Sequence, residues 1–344
     1  MRVLFLHSRL SGYFVACLSA LKATGVEIGI VAKAAAENAP FQLDLSDFRR
    51  CFEASEADAF ANEFAPDCVV LGGWWNPQYL EIAARFRRAG KIVVMTSDQP
   101  WEDSLQQKLK LTIKRTKIRN AANHIWIPGQ PQYPVATYLG FGPQEILTGV
   151  YSCDFARFEA PIEAKRDSCF LFVGRLEAVK GFDTMLNAYR IYAEETEAPW
   201  KLKVVGSGAL ERRVRSQPGI EHVPFVQPAE LPKLLKSAAA FVLPSDYEPW
   251  GVAIHEAAAA GLPLLCSDAC GAAYHLLQNN VNGLSFRRGS INELALCMAS
   301  VSAMSETERQ GWGEASRQLA QQYKPERWAQ TLIEAAERFQ CPSL

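Results

Sequence analysis

Short apolar segments alternate with longer amphipathic segments along most of the chain. The apolar segments are bounded by Gly, Pro or Asp, which is typical of buried parallel strands in βαβ units. In the first half they are residues 3–6, 27–32, 68–71, 92–95, 124–127 and 145–150. In the second half they are residues 169–173, 202–205, 222–226, 240–243 and 264–267. The pattern predicts an α/β protein with two parallel sheets.

A charged segment with no apolar period, residues 152–168, separates the two groups of strands. At 344 residues the chain is too long for one ordinary hydrophobic core, so we interpret this segment as a linker between two Rossmann-like domains. The predicted domains are residues 1–151 and 152–323, and residues 324–344 form a C-terminal helix that we expect to return to the first domain. Ligands of such sheets bind at the carboxyl ends of the strands, so two domains facing each other would enclose a binding cleft.

Composition narrows the functional classes. Hydrophobic residues make up 49% and charged residues 21% of the chain, and the formal net charge of −1 gives no support to a nucleic-acid partner. The nine cysteines are scattered without a CxxC pair, so we expect buried, reduced thiols and no zinc site. The N-terminal apolar segment is too short for a signal peptide, and no segment approaches a transmembrane span. We therefore expect a cytoplasmic protein.

The segment from Pro244 to Glu256 carries the strongest candidate chemistry. It follows an apolar strand, turns, and then begins a helix in which most residues are Ala. Glu248 lies just before this helix, where free backbone amides and the helix dipole favour an anion. Glu256 lies inside the helix, where a carboxylate is unfavourable unless a polar group meets it. The arrangement would suit a ligand with both phosphates and hydroxyls, such as a nucleotide sugar.

Two carboxylates at this spacing are, taken alone, more often a loop residue and a solvated helix position. Four pieces in order between about residues 170 and 286, however, resemble the nucleotide-sugar domain of the family 4 retaining glycosyltransferases, also called glycosyl transferases group 1. They are residues 173–181, like a phosphate-binding turn, residues 205–208, like a glycine turn, residues 248–256, and residues 270–283, like a variant final loop. The resemblance implies the GT-B fold, in which two Rossmann-like domains face each other across a cleft.

The chemistry of sugar transfer gives two cations a natural role. Cleavage of a sugar–phosphate bond leaves negative charge on a nucleoside diphosphate, and cations placed there stabilise the transition state more than the ground state. Arg175 and Lys180 follow a strand and Gly174, and by the resemblance they would hold the diphosphate. Each of these cations, taken singly, is more often an ordinary surface residue of a loop.

The resemblance also implies the other donor-binding residues. Glu256 would bind the ribose hydroxyls, and Glu248 would bind a hydroxyl of the donor sugar. The backbone amides of the residues that begin the helix would approach the sugar and the β-phosphate, and residues 224–226 would flank the base. In the first domain, one glycine falls where the family has a glycine-rich loop with a pair of glycines. The residues that begin the helix are Trp250, Gly251 and Val252. The last of the residues that flank the base is Val226, and the glycine of the first domain is Gly12.

One position departs from the family pattern. The family often has a His near the transferring sugar, after the fourth or fifth strand of the first domain, and here Asp98 holds that place. Its carboxylate would hydrogen-bond a sugar hydroxyl as the His does. The alternatives are that Asp98 is an ordinary turn residue before Pro100, or that the alignment is displaced by several residues. His7, at the end of the first strand, is the next candidate, although a packed strand-end His is the commoner case.

Residues 108–119, from Lys108 to Arg119, contain six basic residues in twelve. At helical spacing an apolar face is flanked on one side by cations, and such a helix would lie on an anionic membrane surface. The alternative is a solvated helix that covers the first sheet. The face consists of Leu105, Leu109 and Ile113, and the flanking cations are Lys110, Lys114 and Lys117.

Three tryptophans at strand ends, Trp74, Trp75 and Trp101, would stack on an acceptor sugar or pack in the core.

We therefore predict a retaining glycosyltransferase that moves a sugar from a nucleotide diphosphate donor to a sugar or lipid-linked acceptor, in bacterial polysaccharide, lipopolysaccharide or glycolipid synthesis. No cofactor is expected, and no metal, because the chain has no convincing DxD motif. The expected location is the cytoplasm, with peripheral contact at the inner membrane face. Two alternatives are a nucleotide-sugar epimerase, for which Asp98 is the only candidate acid or base, and a catalytically inactive binding subunit.

Overall fold

The computed structural model describes residues 1–8, 10–32, 43–159 and 166–340. These residues fall into two compact units. The first runs from Met1 to Cys153 and includes the chain from Tyr323 onward, and the second is Asp154–Gln322. Each unit is built on one fully parallel sheet.

The first unit has a seven-stranded sheet in the order β3-β2-β1-β4-β5-β6-β7. Its strands are β1 (Arg2–Leu6), β2 (Glu27–Val31), β3 (Arg49–Cys51), β4 (Cys68–Leu71), β5 (Ile92–Thr96), β6 (His124–Ile127) and β7 (Ile146–Thr148). Its first helices are α1 (Gly12–Ala23), α2 (Ala57–Phe64), α3 (Pro77–Arg88), α4 (Leu105–Ala121) and α5 (Tyr133–Tyr138). The strand order reverses between β1 and β4, which is where open parallel sheets bind ligands.

The second unit has a six-stranded sheet in the order β10-β9-β8-β11-β12-β13. Its strands are β8 (Asp167–Val173), β9 (Lys201–Val205), β10 (Ile220–Val223), β11 (Ala238–Leu243), β12 (Leu264–Ser267) and β13 (Gly283–Phe286). Its helices are α6 (Phe155–Phe158), α7 (Phe182–Glu195), α8 (Glu211–Arg215), α9 (Leu231–Ser237), α10 (Val252–Ala259), α11 (Ala273–Leu276), α12 (Ile291–Ala303) and α13 (Glu306–Gln321). Here the strand order reverses between β8 and β11.

The last helix, α14 (Pro325–Gln340), packs against α1 in the first unit. Trp328 anchors it, since only 2% of this side chain is exposed. Its ring packs on Trp126 at 4.8 Å and on Phe14 at 5.8 Å, and its indole Nε1 donates to the Val150 carbonyl at 2.9 Å. The aromatic contacts bury a large apolar surface while the hydrogen bond satisfies the one polar atom of the indole.

The prediction of two Rossmann-like α/β domains is confirmed, and the predicted strands are largely correct. The strand predicted at residues 222–226 is misplaced, because β10 ends at Val223, before Pro224, which has no amide for a ladder. Two edge strands, β3 and β13, were not predicted. In the predicted linker, Phe155 and Phe158 are buried in the short helix α6, so this part of the segment is packed rather than extended; residues 160–165 lie outside the described residues.

Two further expectations concern the cysteines and the membrane. The eight cysteines in the described ranges are buried and unbridged. No helix in the described part of the chain is long and apolar enough to cross a bilayer.

Candidate functional site

In the second unit, the loops that follow β8 and β11 meet at the point where the strand order reverses. Gly174 and Arg175 lie in the first loop, and Glu248 lies in the second. The two loops approach so closely that a Cβ at Gly181 would lie 1.9 Å from the Pro244 carbonyl oxygen. Gly181 also has a φ of 69°, so only glycine fits at this position without moving the backbone. This close approach brings a cation of one loop to a carboxylate of the other.

Lys180 and Glu248 are those two residues. The Lys180 ammonium pairs with the Glu248 carboxylate, and each side chain is only 13% exposed. Partial burial removes water that would otherwise screen the pair, so each charge depends on the other. The pair therefore places one cation and one hydrogen-bond acceptor side by side at the carboxyl edge of the sheet.

Arg175 differs from Lys180 in its environment. Its side chain is 66% exposed, and its guanidinium pairs with Glu177 at 2.9 Å. Exposed ion pairs of this kind contribute little to stability. The guanidinium is therefore held only weakly by the protein.

The helix α10 begins next to Glu248. Its N-cap is Gly251, with a φ of 99°, and glycine has no side-chain oxygen with which to cap the first amides. A Cβ at Gly251 would lie 3.1 Å from the Cγ of Glu248, so the turn also packs directly against that carboxylate side chain. Trp250 is buried, with 2% of its surface exposed, and holds the turn in place. The first amides of α10, beginning at Val252, thus adjoin the Lys180–Glu248 pair.

Glu256 lies in the second turn of α10 and is half-buried. Burial raises the pKa of its carboxyl to about 8, against the opposing influence of the Arg157 guanidinium. A carboxyl of this kind binds its proton until a partner compensates for the lost water. The neighbouring His255 is fully buried, with Nε2 3.1 Å from the Ala320 carbonyl oxygen, and burial lowers its pKa to about 4. His255 therefore has a packing role.

The loops after β9 and β10 are tied to the same edge. A Cβ at Gly206, which has a φ of 140°, would lie 1.9 Å from the Gly174 carbonyl oxygen. The Phe225 amide donates to the Ser207 hydroxyl at 3.1 Å, which fixes the loop that contains Val226. The structure thus brings Gly174, Arg175, Lys180, Val226, Glu248, Trp250, Gly251, Val252 and Glu256 to loops and one helix of the second unit.

The first unit has a cavity of about 250 Å³ at the carboxyl ends of its strands. It lies at the reversal of strand order, because His7 follows β1 and Gly72 follows β4. A Cβ at Gly72 would lie 3.0 Å from the His7 ring, so glycine makes room for that ring. Gly12, the first residue of α1, also lies in this unit but is not among the residues that line the cavity.

Asp98 lines this cavity and is exposed. Its Oδ2 accepts a hydrogen bond from the Tyr151 hydroxyl at 2.9 Å, and the Tyr151 ring packs edge-on against Tyr13. Sequence reasoning missed both tyrosines. The sequence does mark Tyr151 by its position, because it closely follows the last strand of the first sheet, just as His7 follows the first strand.

The three tryptophans lie in different environments. Trp74 lines the cavity and is 6% exposed, whereas Trp75 is 72% exposed and lies under the Lys114 ammonium, 4.9 Å from its ring. Trp101 packs against Tyr138, so its environment is mainly apolar. Of these three tryptophans, Trp74 and Trp75 border the cavity, which Trp328 also lines.

Helix α4 turns its apolar stripe outward. It packs on the sheet through Leu111 and Ile118, which are nearly fully buried. On the opposite face, Leu105, Leu109 and Ile113 are 84%, 63% and 71% exposed. The helix thus covers the first sheet, as one alternative predicts, and leaves exposed the apolar stripe that the membrane alternative requires.

No group of three or more His, Cys, Asp or Glu residues that could hold a metal ion occurs within residues 1–8, 10–32, 43–159 and 166–340.

Comparison with known proteins finds similarities in the second unit. Residues 155–319 match the family model described as Glycosyl transferases group 1. An uncharacterised glycosyltransferase of Methanocaldococcus jannaschii is 34% identical over 155 residues, which is 43% of this chain and 39% of that protein. A glycogen synthase of Mycobacterium tuberculosis is 32% identical over 183 residues, which is 48% of this chain and 42% of that protein. The chain thus spans less than half the length of these relatives.

The likeness to solved structures extends over the whole chain. The Anabaena protein HepE, solved in complex with UDP, superposes with a TM-score of 0.74 at 16% identity, covering 98% of this chain and 100% of that one. At this identity the likeness shows the fold alone, which is that of the GT-B glycosyltransferases. The chain therefore has a GT-B fold, and its residues 155–319 match the glycosyl transferases group 1 model.

Proposed function

We propose that the protein is a retaining, metal-independent glycosyltransferase that transfers a sugar from a nucleotide diphosphate donor. The observation that carries this proposal is the Lys180–Glu248 pair, which adjoins the N-terminus of α10 at the reversal of strand order in the second sheet. A phosphate group and a sugar hydroxyl need a cation, free amides and a carboxylate acceptor within a few ångströms of one another. The family match over the same residues and the solved complex of HepE with UDP support the same donor chemistry.

In this proposal, binding of the donor redistributes the contacts of the pair. The diphosphate binds to the Lys180 ammonium and to the amides at Gly251 and Val252. The exposed guanidinium of Arg175 moves to contact the diphosphate oxygens. Glu248 then accepts a hydrogen bond from a hydroxyl of the donor sugar. As the sugar–phosphate bond breaks, negative charge grows on the leaving diphosphate, and these fixed donors stabilise it without a metal ion.

The stereochemical course follows from the same arrangement. The leaving phosphate oxygen remains on the face of the sugar that the acceptor hydroxyl attacks, and it takes the proton of that hydroxyl. The new bond forms where the old one broke, so the configuration of the donor is kept. Glu256 binds the ribose hydroxyls and Val226 flanks the base, while Gly12 and Asp98 act from the first unit.

For the acceptor we propose a saccharide that binds in the cavity of the first unit. The buried indole of Trp74 and the exposed indole of Trp75 offer flat apolar faces, and Asp98 offers a carboxylate. A sugar stacks its C–H face on such a ring, while its hydroxyl groups form hydrogen bonds with polar groups nearby. Polysaccharide, lipopolysaccharide or glycolipid synthesis in bacteria would use such an acceptor.

We further propose that α4 holds the protein on an anionic bilayer, where a lipid-linked acceptor would be found. Its outward stripe of Leu105, Leu109 and Ile113 would enter the interface, and Lys110, Lys114 and Lys117 would meet lipid phosphates. Each such cation contributes about 1 kcal/mol near a charged surface. Replacing the three lysines by Gln should abolish co-sedimentation with vesicles of anionic lipid, and so should high salt. Failure of the unchanged protein to sediment would refute this contact.

The central test is transfer itself. The purified protein would be incubated with UDP-, GDP- and ADP-sugars in the presence of saccharide and glycolipid acceptors. We expect release of nucleoside diphosphate that depends on both the correct donor and an acceptor. Conversion of the donor sugar without release of nucleotide would indicate an epimerase instead. Tight binding of a nucleotide sugar without either reaction would indicate an inactive binding subunit.

A further inference from the structure

Three polar side chains that are far apart in sequence meet at the edge of the first sheet. Tyr13 is the second residue of α1, Asp98 follows β5, and Tyr151 follows β7. All three line the cavity of about 250 Å³. The mechanism proposed above uses only the carboxylate of Asp98, so the two tyrosines need an explanation of their own.

The Tyr151 hydroxyl donates to Oδ2 of Asp98 at 2.9 Å. Behind it, the ring of Tyr13 packs edge-on against the ring of Tyr151, with centroids 5.5 Å apart and planes at 74°. The ring contact fixes the position of the Tyr151 hydroxyl, and its single proton goes to the carboxylate, which is the stronger acceptor.

The Tyr151 hydroxyl is suited to hold a carboxylate rather than to exchange protons. Burial raises the pKa of both Tyr13 and Tyr151 above the ordinary value, so both remain protonated donors. A tyrosine ring fixed by packing presents its hydroxyl in one direction. An exposed Asp would otherwise rotate freely, and it is the contact with Tyr151 that limits its rotation.

The bond to Tyr151 uses only one carboxylate oxygen. Within the part of the chain that the structure describes, Oδ1 of Asp98 accepts no hydrogen bond, whereas Oδ2 is occupied. The indole of Trp74 lines the same cavity. A fixed carboxylate oxygen and an aromatic ring that line one cavity are a combination that recognises a ring with hydroxyl groups.

We propose that Tyr151, supported by Tyr13, is a positioning residue that orients Oδ1 of Asp98 to accept a hydrogen bond from a sugar hydroxyl. The inference rests on the proposed function, since the sugar is that of the donor or the acceptor. Tyr151 lines the same cavity, but the single proton of its hydroxyl is donated to Asp98. It acts through Asp98, and its loss is therefore felt only where the carboxylate is present.

A double-mutant cycle tests this dependence. Tyr151→Phe removes the hydroxyl and keeps the ring, and Asp98→Asn removes the charge. We expect Tyr151→Phe to lower kcat/KM for transfer about five- to tenfold, the effect of one hydrogen bond. Asp98→Asn should lower it further, and the double variant should match Asp98→Asn within about twofold. Tyr133→Phe, at a tyrosine of α5 that does not line the cavity, is the matched control and should leave kcat/KM unchanged.

The outcomes that overturn the inference are specific. If the losses of Tyr151→Phe and Asp98→Asn multiply in the double variant, the two residues act independently. If Tyr151→Phe lowers the melting temperature while kcat and KM per folded molecule stay unchanged, the tyrosine only stabilises the fold. Stabilisation by free UDP, GDP or ADP should be the same in all variants, because the proposed diphosphate contacts lie in the second unit.

A separate measurement distinguishes failure of this inference from failure of the proposed function. If the unchanged protein transfers no sugar, the proposed transferase activity is wrong. Binding of glucose, galactose, mannose and N-acetylglucosamine would then be followed by tryptophan fluorescence, since Trp74 and Trp75 border the cavity. Weaker sugar binding in Tyr151→Phe, absent in Tyr133→Phe, would still support the positioning role. No sugar binding, or binding that neither Asp98→Asn nor Tyr151→Phe changes, would refute it.

Discussion

The raised pKa of Glu256 should make the proposed binding of a nucleotide sugar depend on pH. The proposed role of this carboxylate is to accept hydrogen bonds from the two ribose hydroxyls, which only the ionised form can do through both oxygens. In the ligand-free protein, burial holds the pKa at about 8, so at neutral pH most molecules carry a neutral carboxyl. Binding must then release this proton, and the observed affinity is reduced by the fraction of molecules that are not yet ionised.

The magnitude follows from the titration curve. With a pKa of about 8, roughly 1% of Glu256 is ionised at pH 6 and about half is ionised at pH 8. The association constant for a nucleotide sugar should therefore rise about 50-fold between these pH values. The donor itself does not cause this rise, because its diphosphate is esterified at both ends and keeps its charge over the range.

Isothermal titration calorimetry measures both parts of the prediction. We expect a steep rise in affinity from pH 6 to 8, and a release of close to one proton per bound ligand at pH 6.5, obtained from buffers of different ionisation enthalpy. Glu256→Gln should bind weakly with a flat pH profile, while Glu194→Gln, at an exposed carboxylate of α7, should behave as the unchanged protein. An affinity of the unchanged protein that varies less than about threefold over this range would refute the reasoning.

The same shift fixes the sign of the stability change. The unfolded chain ionises Glu256 near 4.5, whereas the folded protein holds the proton until about pH 8. The folded state therefore binds the extra proton between these values, and stability falls as pH rises through that window. Glu256→Gln cannot ionise, so without ligand it should melt at a higher temperature than the unchanged protein at pH 8, and at a similar temperature near pH 4.5.

Further predictions concern the donor site and the course of the reaction. Lys180→Ala should lower kcat/KM about a hundredfold, roughly 3 kcal/mol of transition-state stabilisation, with the fold preserved by circular dichroism. Arg175→Ala should have a smaller effect, about tenfold, because its exposed charge is screened by solvent, and equal losses in the two variants would contradict this difference. Activity should persist in excess chelator, and a strict requirement for added Mg²⁺ or Mn²⁺ would show that Lys180 and α10 do not suffice. The product should keep the anomeric configuration of the donor, and an inverted anomeric proton coupling would exclude the retaining mechanism.

Much of the fold was predictable because its determinants are local. Strands such as β4 and β6 are continuous apolar segments between helices, and the apolar pattern alone locates them at the correct residues. The edge strands β3 and β13 carry no such pattern, since β3 contains two exposed arginines and β13 has a polar Ser285. Edge strands are buried on fewer sides, so packing places weaker demands on their sequence.

The same distinction separates the two candidate sites. The residues proposed for the donor occupy short loops after β8 and β11, and glycines such as Gly181 and Gly251 mark those turns in the sequence itself. The pairing of Lys180 with Glu248 is not visible in the sequence, because 68 positions separate the two residues. It follows from the order of the strands, which places β8 beside β11, and that order is a property of the whole sheet.

The first unit shows what remains hidden when no local pattern marks a site. Asp98 and Tyr151 are 53 positions apart and belong to loops after β5 and β7, which are not neighbours in the sheet because β6 lies between them. The hydroxyl at the end of the long Tyr151 side chain nevertheless reaches the Asp98 carboxylate, at 2.9 Å. A long side chain can therefore join loops that strand order keeps apart, whereas the donor-site pair needs adjacent strands. Knowledge of the strand order is therefore enough to place the Lys180–Glu248 pair, but not the contact of Tyr151 with Asp98, which also depends on the length of a side chain.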